Sequence, residues 1–109
     1  MKKSKIEVEK SSGNVFEDLG LPNAELHLLK ADLAIAIFQA IKQKKLTQEQ
    51  AAEVLGVSQP EISKLKNGNF SRFGVERLFA FLNKLGRNVD ITISKTRSQN
   101  PRQRVLLAA

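Results

Sequence analysis

The stretch Leu46–Gly68 reads LTQEQAAEVLGVSQPEISKLKNG, and its local chemistry decides how this chain folds. Thr47 is followed three residues later by Gln50, and Ser58 is followed three residues later by Glu61. Each pair is a capping box, in which the hydroxyl and the longer side chain accept hydrogen bonds from each other's backbone N–H groups. The stretch therefore predicts two short helices that follow one another closely.

The residues between and beneath these two helices predict how they pack. Gly56 stands at the end of the first helix, where the chain must leave with a positive φ that only glycine adopts cheaply. Ala52 is small enough to let the helices cross closely, and Ile62 and Leu65 share the inward face of the second helix. This arrangement is typical of a helix-turn-helix, whose second helix enters the major groove of DNA.

The polar residues of the second helix are predicted to face outward and to bind DNA. Amides and lysines match base edges, since glutamine can bond adenine and lysine can donate to guanine. We expect Gln48 either to brace a backbone phosphate or to support Gln59, and the cap role of Glu61 to hold its carboxylate near Ser58. The alternative is an ordinary helical hairpin with solvated polar residues. The outward set consists of Gln59, Pro60, Ser63, Lys64 and Asn67.

The amino-acid composition excludes few classes of function. At 109 residues the chain has room for one small domain, and its formal net charge is +7. The segment 95–109 has four basic residues and no acid, whereas 46–68 has two lysines and three acids. The charge therefore indicates a polyanionic partner only weakly, and the motif carries the prediction.

Several classes of function receive no support from the sequence. The chain contains no cysteine, so it offers no thiolate site. Its single histidine is His27, and no cluster of residues has the spacing of metal ligands. We expect no catalytic residue, no metal and no cofactor. The start Met1-Lys2-Lys3 is followed by acids rather than by an apolar signal region, which predicts a cytoplasmic protein without a membrane span.

The remainder of the chain is predicted to complete an all-α, phage-repressor-like domain of four to five helices. Residues 1–21 are expected to form an arm, followed by a domain over 22–94 that opens with one long helix from Asn23 to about Lys45. In the arm, Phe16 and Leu19 either cover this protein's own core or contact a partner. Gly74 is expected to cap a further helix over 75–85.

A dimer is predicted from the end of this domain. Residues 88–94 alternate apolar and polar side chains as a strand does, and a lone strand needs a partner, most simply its own copy in a second subunit. The helix over 75–85 is apolar nearly all round, so it is either central in the core or part of an interface. The basic segment 95–109 is expected to be disordered. The predicted dimer contacts are Phe81, Leu85, Val89, Ile91 and Ile93.

The motif and its surroundings resemble a known family. Leu46–Gly68 is similar to the XRE (Cro/cI-type) helix-turn-helix regulators. The preceding SSGNVFEDLGLPNAE at 11–25 and the following RLFAFLNKLGRNVDI at 77–91 narrow the resemblance to HigA-type antitoxins of type II toxin–antitoxin modules. The similarity extends from about Val8 to Ile93. One departure is Gly74, which stands where such proteins commonly have a serine cap.

This resemblance implies a dimeric repressor that binds a palindromic operator on double-stranded DNA and masks a RelE-like ribonuclease toxin. It implies that Gln48, Gln59 and Lys64 contact bases or orient those contacts. The neighbouring groove and phosphate contacts would come from Ser58, Ser63, Asn67 and, in the following loop, Arg72. The alternative is a stand-alone XRE-family repressor with no toxin partner. If toxin masking is instead the main activity, the arm and the exposed side of the long helix would make the contacts.

Overall fold

The computed structural model describes residues 23–96 and 102–107, and four α-helices form within them. They are α1 (Asn23–Gln43), α2 (Gln48–Leu55), α3 (Gln59–Lys66) and α4 (Val75–Lys84). The all-helical domain predicted from the sequence is confirmed at this level. The predicted arm lies outside the described residues, and no described helix is long and apolar enough to cross a membrane.

The core lies between α1 and α4, and the helix-turn-helix packs onto it. α1 and α4 make the most extensive contact, while α3 packs against α1 and α2 packs against α4. Ile37 and Leu78 are fully buried at the centre of this contact. Where α2 and α3 cross, Ala51 and Ala52 are also buried, as the small side chain in the motif predicts. The side chain of Arg87, which follows α4, donates to Gln43 at the end of α1.

Both predicted capping boxes are present. Thr47 Oγ1 accepts from the Gln50 backbone N–H at 3.0 Å, and Gln50 Oε1 accepts from the Thr47 N–H at 2.9 Å. At the start of α3, Ser58 Oγ accepts from the Glu61 N–H at 3.3 Å, while Glu61 Oε1 accepts from the Ser58 N–H at 3.0 Å. Between the helices Gly56 has φ +73°, the left-handed conformation expected there.

Arg77 adds a contact to the start of α3 that sequence patterns do not predict. Its Nη2 lies 3.3 Å from Glu61 Oε2, and its guanidinium stands over the rings of Phe73 and Phe81 at 5.0 and 5.4 Å. The hydrogen bond from the Ser58 backbone, followed by the hydrogen bond and charge of Arg77, holds the pKa of Glu61 below its ordinary value of 4.5. The carboxylate is thus favoured in its charged form.

The segment after α4 has two different environments. No residue of 88–96 belongs to a β-ladder within the described part of the chain, so the strand predicted over 88–94 stays a prediction. Val89 packs against the core, whereas Ile91 and Ile93 are 58% and 79% exposed. In the segment 102–107, Val105 packs against the core as well.

Two residues predicted at the dimer interface lie in the core of the chain itself. Phe81 is 3% exposed and Leu85 is fully buried, so neither offers surface to a second subunit. Of the two alternatives raised by the apolar character of α4, the structure has the helix central in the core. Of the five residues predicted at the dimer interface, Ile91 and Ile93 are the two that are exposed.

Replacing Glu61 with glutamine should make stability less sensitive to acid. Glutamine can still complete the capping box but cannot carry the charge that Arg77 faces. Because the pKa of Glu61 is lowered in the folded state, its ionisation stabilises the fold above about pH 4.5, and this contribution disappears as the pH falls through the lowered value. Glu61→Gln should therefore be less stable than the wild type at pH 7, and the difference should shrink as the pH falls below about 4.5.

Urea denaturation of both proteins across this pH range measures the difference. Glu53→Gln, which removes a carboxylate from α2 without touching the cap of α3, is the matched control. A stability gap between Glu61→Gln and wild type that stays constant from pH 7 to pH 3 would contradict the assignment.

Candidate nucleic-acid interface

The two faces of α3 are sharply different. Ile62 and Leu65 are each 1% exposed and fix the helix on the core. The opposite side is open to solvent, so nothing in the described part of the chain walls it off. The residues predicted to face outward are all exposed: Gln59, Pro60, Ser63, Lys64 and Asn67.

Gln48 supports the outward face of α3, but through a different residue from the one expected. Its Nε2 lies 3.4 Å from Ser63 Oγ, within hydrogen-bonding distance. The sequence left open whether Gln48 would brace a phosphate or support Gln59, and the contact observed is with Ser63. It joins the first turn of α2 to the middle of α3, so the two helices share one polar surface.

Ser58 is exposed but already engaged in the cap. Its Oγ accepts from the Glu61 N–H, and its hydroxyl lies 3.3 Å from Glu61 Oε1. The carboxylate of Glu61 is in turn held by Arg77, 3.3 Å away. The negative charge in the first turn of α3 is therefore turned toward a cation rather than toward the space that a phosphate would occupy.

The loop between α3 and α4 is anchored by its two aromatic residues. Phe70 and Phe73 are 7% and 1% exposed, and the ring of Phe70 lies 4.9 Å from that of His27 on α1. Between them Arg72 is exposed, while its carbonyl oxygen accepts from Arg77 Nη1 at 3.3 Å. The backbone of Arg72 is thus fixed and its side chain extends from a stable base. Sequence reasoning identified Arg72 but missed these anchors.

A shallow groove of about 170 Å³ lies beside this surface, where α1, α2 and α3 meet. Its lining combines apolar residues with Gln48 and Lys66. Lys66 is therefore on the side of α3 nearest α1.

In the described residues no group of three or more His, Asp or Glu side chains could hold a metal ion. The arrangement offers amide, hydroxyl and cationic donors on one exposed helix, which suits the edges of bases and phosphates.

Comparisons with known proteins agree with this geometry. A family model described as a helix-turn-helix domain matches residues 15–94. A solved structure described provisionally as an XRE family transcriptional regulator is 38% identical, with a TM-score of 0.69, covering 81% of this chain and 99% of that one. No curated protein matches the chain. These two matches agree with the exposed, capped second helix of the motif. The chain therefore belongs to the helix-turn-helix proteins of the XRE family, which are DNA-binding transcriptional regulators.

Proposed function

We propose that this protein is a sequence-specific repressor that reads an operator with α3 in the major groove. The observation that carries the proposal is the division of α3 into a buried side, Ile62 and Leu65, and an open polar side. A helix held in this way presents its side chains to base edges without having to unfold or move.

Each exposed residue receives a role from its chemistry. Gln59 and Lys64 are the base readers, because an amide can pair with adenine in a bidentate manner and an ammonium can donate to guanine. Ser63 contacts the groove while Gln48 supports it from α2. Asn67 and Arg72 follow the end of α3 and would bind the phosphate backbone. Pro60 has no N–H and contributes apolar surface alone, and Ser58 acts through the cap.

We also propose that the protein binds DNA as a homodimer. Helix-turn-helix dimers read half-sites about one helical turn apart, so a palindromic operator requires two copies of α3. Ile91 and Ile93 support this proposal because they are large, apolar and more than half exposed, separated by one polar residue. Two such segments pairing across a two-fold axis would cover both residues and complete the predicted strand over 88–94.

A second activity, neutralising a RelE-like toxin, is proposed on a different surface. Leu28 and Ile35 on α1 are 59% and 53% exposed and are seven residues apart, so they lie on one side of the helix. An apolar strip of this kind is typical of a protein contact. The protein would then be a cytoplasmic antitoxin that represses its own operon. The alternative is a stand-alone repressor that has no toxin partner.

Replacing either base reader should weaken recognition of the operator. Lys64→Ala or Gln59→Ala should cost about 1–3 kcal/mol of discrimination, roughly 5- to 150-fold in the affinity ratio between operator and scrambled duplex. The measurement is a gel shift with a duplex that the wild-type chain selects from a random-sequence library.

Lys66→Ala is the matched control, since it removes the same charge from the same helix on the side nearest α1. It should lower affinity for both duplexes alike and leave their ratio unchanged. Wild-type discrimination by Lys64→Ala and Gln59→Ala would defeat the assignment of α3 as the reading helix.

Charges placed in the proposed dimer contact should separate the subunits. Ile91→Asp combined with Ile93→Asp should sediment as a monomer under conditions in which the wild type is a dimer, because facing carboxylates repel across the two-fold axis. Leu28→Asp combined with Ile35→Asp is the control and should remain dimeric. A monomeric wild type, or a dimeric Ile91→Asp/Ile93→Asp variant, would refute the contact.

The same α1 variant tests the antitoxin proposal. Leu28→Asp/Ile35→Asp should fail to co-purify with the product of a neighbouring toxin-like reading frame and fail to rescue growth when that product is expressed. It should keep its gel shift, because Leu28 and Ile35 belong to α1 and not to the proposed reading helix. If the wild type does not bind that product, the stand-alone repressor is the better description.

A further inference from the structure

Arg77 connects three parts of the molecule through one side chain. Its Nη2 lies 3.3 Å from Glu61 Oε2 at the start of α3, and its Nη1 donates to the Arg72 carbonyl at 3.3 Å. The guanidinium stands over the rings of Phe73 and Phe81 in the core. The first contact is at the beginning of α3 and the second is in the loop between α3 and α4, so one side chain of α4 contacts both segments.

We propose that Arg77 is a positioning residue for DNA recognition, which sets the start of α3 and the backbone at Arg72 relative to each other without binding DNA itself. The inference rests on the proposed function of α3 and deepens it. Arg77 lies outside the sequence motif, which ends at Gly68, and belongs to the next helix.

The geometry of arginine explains why it suits this position. The guanidinium is a planar fork with five donors, so two N–H directions are fixed relative to each other once the plane is fixed. The two rings beneath it restrict that plane, because a cation over an aromatic face is attracted to it. Glu61 and the Arg72 carbonyl are then held in a defined relation, which a flexible lysine ammonium could not impose.

The ion pair alone would contribute little. Arg77 and Glu61 have side chains 38% and 35% exposed, and pairs of that kind are screened by water. What makes the contact matter is that α3 has only eight residues, and so short a helix needs contacts from its neighbours to be stable. Ile62 and Leu65 fix α3 on the core, and Arg77 adds a contact at its first turn. Glu61 also accepts from the Ser58 N–H at 3.0 Å, so a displaced carboxylate shifts the cap of the reading helix as well.

Positioning and direct phosphate binding predict different results. A side chain that binds phosphate weakens binding to every sequence, and its loss lowers the slope of log K against log salt by about 0.9. A positioning residue contributes through the base readers. Its loss should therefore reduce the ratio of operator to scrambled-duplex affinity and leave the salt slope unchanged.

The experiment compares four variants with the wild type on the selected operator and its scrambled version over a range of salt. Arg77→Met should lower the affinity ratio on the order of tenfold at an unchanged salt slope, the size expected when a helix start is misplaced. Arg77→Lys should lower it less, and Glu61→Gln, which keeps the cap but not the ion pair, should lower it in the same direction. Lys42→Met removes an exposed positive charge from the last turn of α1 and should leave the ratio unchanged.

Measurements on the free protein test the contact of Arg77 with the start of α3 separately from DNA binding. Arg77→Met should speed hydrogen exchange of the Ser58 amide and raise the pKa of Glu61 toward 4.5, both read by NMR. Lys42→Met should change neither. If Arg77→Met does not fold, Arg77→Lys and Glu61→Gln give the same readouts in a milder form.

Three results would overturn the proposal. An Arg77→Met variant that loses affinity equally for both duplexes with a shallower salt slope would make Arg77 a phosphate contact. An unchanged ratio in a folded variant would leave Arg77 without a role in recognition, and unaltered Ser58 exchange would mean that it does not hold α3. A wild type that discriminates no sequence overturns the proposed function instead, and the free-protein measurements still decide whether Arg77 holds α3.

Discussion

Two helices of eight residues cannot maintain themselves in water, and the rest of this structure depends on how that constraint is met. Isolated helices below about 12–15 residues are marginal even in favourable sequences. α2 and α3 are both below that length. Their caps contribute roughly 1 kcal/mol each, whereas full burial of one leucine or isoleucine contributes roughly 1.5–3 kcal/mol. Burial of Leu55, Ile62 and Leu65 therefore holds the pair, and the caps determine where each helix begins.

Because the buried residues hold α3 and the caps determine where it begins, the exposed side of α3 is not needed to pack the helix on the core. With Ile62 and Leu65 under the helix, its exposed amide, hydroxyl and ammonium groups are free to be selected for recognition. The supporting contacts come from outside the helix, from Gln48 on α2 and from Arg77 on α4. α3 therefore depends on the neighbouring helices for both its stability and its orientation.

What could be predicted from the sequence follows from the range of each interaction. The capping boxes and the left-handed Gly56 involve residues within four positions of each other, and all were predicted correctly. The contact of Gln48 with Ser63 spans 15 positions, and that of Glu61 with Arg77 spans 16. Such pairs arise only once the helices are packed, so spacing in the sequence carries no signal for them.

The apolar residues of α4 show the same limit in another form. Periodicity identified Phe81 and Leu85 as buried but could not say against what, because a core and an interface bury the same side chains. Packing of α4 against α1 resolves the ambiguity in favour of the core. Ile91 and Ile93 remain exposed for a related reason: an alternating segment finds its ladder only in another chain or another strand.

The distribution of charge along the chain affects the balance between sequence-specific and non-specific binding of DNA. Non-specific affinity for DNA grows with the number of phosphates that lysine and arginine neutralise. In this chain the reading motif 46–68 has two lysines against three acids, and much of the excess positive charge lies in 95–109. A near-neutral motif gains little from phosphates, so the sequence preference proposed for it would have to come from the hydrogen bonds of its polar side chains. Those bonds are directional, which makes the placement of α3 more important to recognition than the total charge of the domain.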